Sequence, residues 1–145
     1  MNYKIISILA YVILVLMLLA LIGQDAVIAN GTLGKVIQLG AVALMIWARV
    51  TFGGRSFHAS ADPTEGGLVT TGPYRYFRHP IYASIFYFFW AAVLTHFSGI
   101  TCIIGIVATA AIMVRVISEE RLLVARYSEY AEYAARTKRI IPFVF

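Results

Sequence analysis

Apolar residues run without a charge through positions 5–22, and three further apolar blocks follow at 33–52, 81–97 and 100–117. Polar residues collect between and after these blocks, chiefly in 53–80 and 118–145. A helix needs roughly 17–25 apolar residues to cross a hydrocarbon core. The pattern therefore predicts an all-α integral membrane protein: a four-span helical bundle with a C-terminal amphipathic helix and a long loop beside the bundle. The spans are expected at about 5–22, 33–52, 81–97 and 100–117, all within one membrane domain of residues 1–145. No small-x-small cleavage pattern precedes Gln24, so the first block is read as a retained span rather than a signal peptide.

Local signals sharpen the boundaries. Ser98-Gly99 leaves almost no loop between the last two blocks, which predicts an antiparallel helical hairpin. Lys35 and Arg49 stand near the ends of the second block, where long cationic side chains reach the interface. The 53–80 segment is punctuated by Gly53, Gly54, Pro63, Gly66, Gly67, Gly72 and Pro73, as in a binding loop. Gly72-Pro73 predicts a turn, and Pro80 suits the first turn of the third helix. That placement aims His79 and nearby backbone amides at a helix N-terminus, a position suited to a carboxylate or similar anion. From 118 to 136 the chain reads as an amphipathic helix. Leu123, Tyr127, Tyr130, Tyr133 and Ala134 form its apolar side, and Arg121, Glu129, Glu132 and Arg136 its polar side. It is expected on the membrane surface or folded over the bundle mouth, with Pro142 ending any helix.

Composition agrees with a lipid environment: 61% of residues are hydrophobic and 13% charged. A soluble domain of 145 residues could not bury that much apolar surface. The net charge of +5 reflects topology rather than a nucleic-acid partner. With four spans, every Lys and Arg except Lys35 falls on one side. The positive-inside rule then puts both termini, the 53–80 loop and the 118–145 tail in the cytoplasm, as in a prokaryotic inner membrane. Cys102 is the single cysteine, so no internal disulfide is possible, and no Cys/His spacing suggests a metal. Nothing in the pattern sets an oligomeric state.

Two polar clusters interrupt this apolar chain. Arg78-His79-Pro80-Ile81-Tyr82 opens the third block, and Glu119-Glu120 follows the fourth, with Arg115 one helical turn before it. Charges at the edge of an apolar bundle are costly, and their default reading is a functional site. His79 is a candidate ligand or acid–base group, and Arg75 or Arg78 a candidate anion contact. Arg115 and Glu119 share a helix face at i, i+4 spacing, while Glu120 points about 100° further round and has a different task. No dinucleotide fingerprint, phosphate-binding Walker loop or nucleophile elbow occurs. Any cofactor would be held by the loop, the helix ends and the bundle.

Residues 68–82, reading LVTTGPYRYFRHPIY, resemble the signature of the isoprenylcysteine carboxyl methyltransferase family, membrane-embedded and phospholipid-methyltransferase-like. Glu119-Glu120-Arg121-Leu122-Leu123, the tyrosines to Tyr133, and residues 136–142 resemble its C-terminal half. Ser84 stands where that family often carries Gly. The resemblance implies S-adenosyl-L-methionine as cofactor, a lipophilic methyl acceptor, and a site at the cytoplasmic face. Leu68, Val69, Tyr74, His79, Pro80, Ile81, Tyr82, Glu119 and Glu120 would bind the cofactor. Arg115 would meet the acceptor, and His79 or Glu120 would serve as base for a thiol or amine. Two other readings compete: a membrane NADPH-dependent reductase of the sterol type, and a non-catalytic membrane adaptor.

Overall fold

The computed structural model describes residues 2–53 and 67–141. Gly54, Pro63, Gly66 and Pro142, which shaped the expected loop and terminus, lie outside the described residues. The described chain is helical: α1 (Tyr3–Gly23), α2 (Gly31–Phe52), a single 3-10 turn (Gly72–Arg75), α3 (Pro80–Thr95), α4 (Gly99–Arg126) and α5 (Tyr130–Arg136). A lone parallel bridge between Phe77 and Lys138 is the only β pairing among the described residues.

Helices α1, α2 and α4 are long and apolar enough to cross a membrane, whereas α3 has only 16 residues. At about 1.5 Å per residue α3 spans roughly 24 Å, short of a ~30 Å hydrocarbon core. Three of the four expected spans thus meet the length criterion. The short one matters for the site. Counting from the α3–α4 hairpin, the N-terminus of α3 is level with Arg115 of α4, which therefore faces Tyr82 rather than the membrane surface. Some 20 residues suffice to cross the core, so α4, with 28, is longer than a crossing needs.

Helices α1 and α2 each bury only a narrow stripe. In α1 it is Ser7, Ala10, Leu14 and Leu21, and in α2 it is Gly34, Gln38, Ala41 and Ala48. The remaining faces carry exposed Leu, Ile and Val, such as Leu9, Leu19, Leu39 and Val50. These faces suit lipid, where small residues rather than large ones mark helix contacts. Gly34 shows the reason directly: a Cβ there would come within 2.8 Å of Ala29 Cβ and 2.9 Å of Thr95 Cγ2. Packing proceeds in pairs, α1 on α4 and α2 on α3, with α3 joining α4.

The two ends of the bundle are tied differently. At the α3–α4 hairpin, Ser98 caps α4 with a reciprocal box: its Oγ accepts from the Thr101 amide at 3.1 Å, and its own amide donates to Thr101 Oγ1 at 2.9 Å. Gln38 gathers the α1–α2 turn by accepting from the Ala29 amide at 2.8 Å and donating to Val27 O at 2.7 Å. At the opposite end the tail is strapped along the segment before α3. The Arg78 amide donates to Lys138 O at 2.7 Å and the His79 amide to Arg139 O at 3.1 Å.

The tail departs from the expected single amphipathic helix over 118–136. No Gly or Pro interrupts residues 115–126, so α4 runs straight through the expected boundary to Arg126. The chain then breaks over residues 127–129 and resumes as the seven-residue α5, which buries Tyr130 and Tyr133.

Candidate active site

Pro80 begins α3 because its fixed φ and missing N–H suit a first helical position, and His79 takes the N-cap position. The His79 carbonyl accepts from the Ala83 amide at 2.9 Å. The amides of Ile81 and Tyr82 have no carbonyl within α3 to bond, as at any helix start, and both residues line a cavity of about 630 Å³. That volume lies within the usual range for small-molecule sites, roughly 300–1,000 Å³.

The cavity separates α1 from α2 and has two characters. Its long flank is apolar, formed by Leu14, Val15 and Leu18 of α1, Val42 and Met45 of α2, and Phe88 and Phe89 of α3. Its other end gathers Arg49, Tyr74, Arg78, His79, Tyr82, Arg115 and Glu119. Tyr74 is delivered by the 3-10 turn. Gly72 starts that turn at φ +57, and a Cβ there would collide with Thr51 Oγ1 at 2.6 Å. Only glycine lets the loop pack so close to the end of α2.

Arg115 is 5% exposed and held from three sides. Its Nη1 donates to Ser7 O of α1 at 2.9 Å and its Nε to Tyr82 Oη of α3 at 3.2 Å. The guanidinium also lies 5.3 Å from the Tyr11 ring centroid and 5.4 Å from that of Tyr82, within cation–π range. A charge at this depth is tolerable because it is ringed by acceptors and π faces.

His79, 3% exposed, stands between the two carboxylates. Its Nδ1 is 3.8 Å from Glu119 Oε2, its Nε2 is 3.4 Å from Glu120 Oε1, and its ring stacks on Tyr82 at 5.6 Å. Glu120 also pairs with Arg78 Nε at 3.1 Å and Arg139 Nη2 at 3.0 Å. Burial alone would raise the Glu120 pKa, but hydrogen bonds to His79 and Arg139 and the charge of Arg78 outweigh it and hold the carboxyl at about 2. Burial, reinforced by the Glu119 charge, pushes the Tyr74 phenol up, so it stays neutral.

The residues singled out from sequence converge. Tyr74, His79, Pro80, Ile81, Tyr82, Arg115 and Glu119 line the main cavity. Leu68 and Val69 line a smaller adjoining one, which shares Tyr74, Arg78 and Glu119 with it. Glu120 lies behind His79 in the ion network that fastens the tail. Of the two arginines left open, Arg78 lines the cavity and pairs with Glu120, while Arg75 is exposed. Ser84 fits without strain: buried at 2% exposure, its hydroxyl donates to Ile81 O at 2.7 Å. Sequence reasoning did not assign Tyr11, Arg49, Phe52 or Tyr130 to the site. Arg49 had a visible signal, a lone charge at the end of the second apolar block, whereas the others needed the packing to find them.

A family model described as phospholipid methyltransferase matches residues 26–130. The cobalt-zinc-cadmium resistance protein CzcN of Cupriavidus metallidurans is 27% identical over 112 residues, covering 77% of this chain and 48% of that protein. The chain thus spans about half the length of that relative. No solved structure matches. No group of three or more His, Cys, Asp or Glu that could hold a metal ion occurs among the described residues.

Proposed function

We propose, from the premise that this chain belongs to the phospholipid methyltransferase family, that it is an integral-membrane S-adenosylmethionine-dependent methyltransferase acting on a lipophilic acceptor. One observation carries the reading: a single cavity joins an apolar flank between α1 and α2 to a polar end holding Glu119, His79 and Arg115. Such a shape accepts an acyl or prenyl chain from the bilayer and a soluble, zwitterionic group from the water side. The excess of Lys and Arg at that end supports a cytoplasmic side for the polar end and the tail.

The donor set fits the cofactor. S-adenosylmethionine carries an ammonium, a carboxylate, a sulfonium and a flat base. Glu119 is the carboxylate available to the ammonium. The amides of Ile81 and Tyr82, at the positive end of α3, suit a carboxylate. The rings of Tyr74 and Tyr82 favour a neighbouring cation. When bound, the cofactor supplies a methyl group activated for attack by its sulfonium.

The protein's own part is positioning. Arg115, immobilised by Ser7 and Tyr82, orients an anionic acceptor head such as an isoprenylcysteine-like carboxylate. The apolar flank holds the acceptor's chain and keeps water from the reacting atoms. Arg115 and the apolar flank would hold the acceptor's lone pair in line with the methyl group that the bound cofactor would supply. A carboxylate acceptor loses no proton and needs no base. A thiol or amine acceptor must give one up, and His79 is placed to take it, with Glu119 and Glu120 stabilising the imidazolium. Most of the rate gain therefore comes from alignment.

The test is calorimetric titration of detergent-purified protein with S-adenosylhomocysteine, with NADPH in parallel. We expect saturable binding of the former, weakened about 10–100-fold in Glu119→Ala through loss of a charged hydrogen bond. Binding of NADPH alone would replace this reading with a reductase, and binding of neither would leave a non-catalytic membrane protein.

A further inference from the structure

The main cavity is long in one direction. Its wall on α1 is a single stripe, Tyr11, Leu14, Val15, Leu18 and Ile22, at the spacing that keeps one helical face turned toward it. Tyr11 is the residue against the Arg115 guanidinium, which lies 5.3 Å from its ring centroid. Ile22 comes eleven residues after Tyr11. At about 1.5 Å per residue the cavity therefore extends roughly 16 Å from the arginine toward the other end of the bundle. Val27 of the α1–α2 turn lines that far end. The turn is held from several sides. Asp25 folds the chain back at φ +51, and the Ala26 amide donates to Leu21 O at 3.0 Å. The Asn30 amide donates to Thr95 Oγ1 of α3 at 3.0 Å. Gln38, 5% exposed, donates to Val27 O at 2.7 Å and to Phe88 O at 3.3 Å, besides accepting from the Ala29 amide. A buried amide side chain is costly unless bonded, and the bonds of this one brace the end of the cavity and its α3 wall.

We propose that this end wall is a chain-length ruler: the cavity takes an acceptor with a single hydrocarbon chain, its anionic head at Arg115 and its terminal methyl against Val27. The proposal rests on the acceptor reading above and deepens it by fixing the number and length of the chains. An extended chain advances about 1.2 Å per bond, as a peptide does over its three bonds per residue, so about 13 bonds cover the distance. A methylene fills about the space of a water molecule, roughly 30 Å³, so one such chain takes about 400 Å³. Two would take about 800 Å³, more than the cavity's 630 Å³, which accommodates one chain and not the pair of a diacyl lipid. A longer chain must buckle against the braced turn or leave sideways between α1 and α2, and either way it loses wall contacts.

The experiment measures the unfolding midpoint of the full chain in detergent with straight-chain alkanoates from octanoate to octadecanoate. Each probe is added at the same mole fraction in the micelle, which cancels the chain's own preference for an apolar phase. The midpoint rise should peak at dodecanoate and tetradecanoate, with octadecanoate bound about tenfold more weakly because overpacking is destabilising. Val27→Ala opens the end wall and should move the peak to hexadecanoate. Val27→Phe fills it and should move the peak to decanoate. Neither change touches the backbone carbonyl that Gln38 holds. Didodecanoyl phosphatidic acid, anionic but with two chains, should raise the midpoint far less than dodecanoate. No rise with any alkanoate, a rise indifferent to chain length, a peak that stays put in the Val27 variants, or an equal rise with the two-chain lipid overturns the ruler. Saturable binding of S-adenosylhomocysteine in that case leaves the cofactor reading standing. A movable peak without S-adenosylhomocysteine binding keeps the ruler and removes the methyltransferase.

Discussion

Glu120 meets Arg78 at 3.1 Å, Arg139 at 3.0 Å and His79 at 3.4 Å, whereas Glu119, one residue earlier, lies 3.8 Å from His79 and lines both cavities. The 100° turn between successive helical residues sends the two carboxylates into different regions. One is a strap, in which Glu120, the Phe77–Lys138 bridge and the Tyr87 hydroxyl on Ile140 O at 3.1 Å fasten the tail to the start of α3. The other is a pair of adjoining cavities with the Glu119 carboxylate on the walls of both and, on the smaller, the Tyr130 hydroxyl, which has no hydrogen-bond partner among the described residues. Glu120 is spent on the fold, whereas Glu119 faces the cavities, and Arg78 and His79 belong to both regions.

Glu120→Ala should separate the regions most sharply. It leaves Arg78 and Arg139 without their shared carboxylate beside buried His79. Breaking a buried pair costs 3–5 kcal/mol, and with Arg139 about a third exposed we expect about 2–3 kcal/mol, read as a lowered unfolding midpoint in detergent. Glu119→Ala, by contrast, should lose cofactor with its midpoint nearly unchanged. Equal midpoints for the two variants would dissolve the distinction.

Arg115→Ala probes a cavity residue that also does structural work. Loss of its bonds to Ser7 O and Tyr82 Oη should cost about 1–3 kcal/mol in stability. Acceptor turnover should fall at least tenfold, as for loss of a charged contact, while S-adenosylhomocysteine affinity stays within about twofold. Parallel loss of cofactor affinity would move Arg115 to the cofactor end.

The smallest effect is a pH dependence confined to the strap. Glu120 has its folded pKa lowered from 4.5 to about 2, so its stabilisation is complete above 4.5 and drains away as pH falls through that interval toward 2. Unfolding midpoints measured downward from neutral pH should therefore begin to drop below about 4.5, and Glu120→Gln should flatten that limb. A limb of unchanged slope in Glu120→Gln would assign the acid sensitivity to other carboxylates.

Much of this was legible along the chain. Uninterrupted apolar blocks dictate helices in lipid, since every backbone group must be bonded within its own segment there. Pro80, Ser98 and Gly72 mark their boundaries for local steric and capping reasons. The motif at 68–82 and the Glu119-Glu120 pair identified the family, because their residue order survives without knowledge of packing. Tertiary structure decided the rest. Only the level of α3's short N-terminus against α4 brings Arg115 to Tyr82 and Ser7. Only the strap assigns Glu120 to Arg139 and Tyr133 to Tyr74, and leaves the Tyr130 hydroxyl without a hydrogen-bond partner among the described residues. Those outcomes depend on contacts between residues far apart in the chain, which no local periodicity encodes.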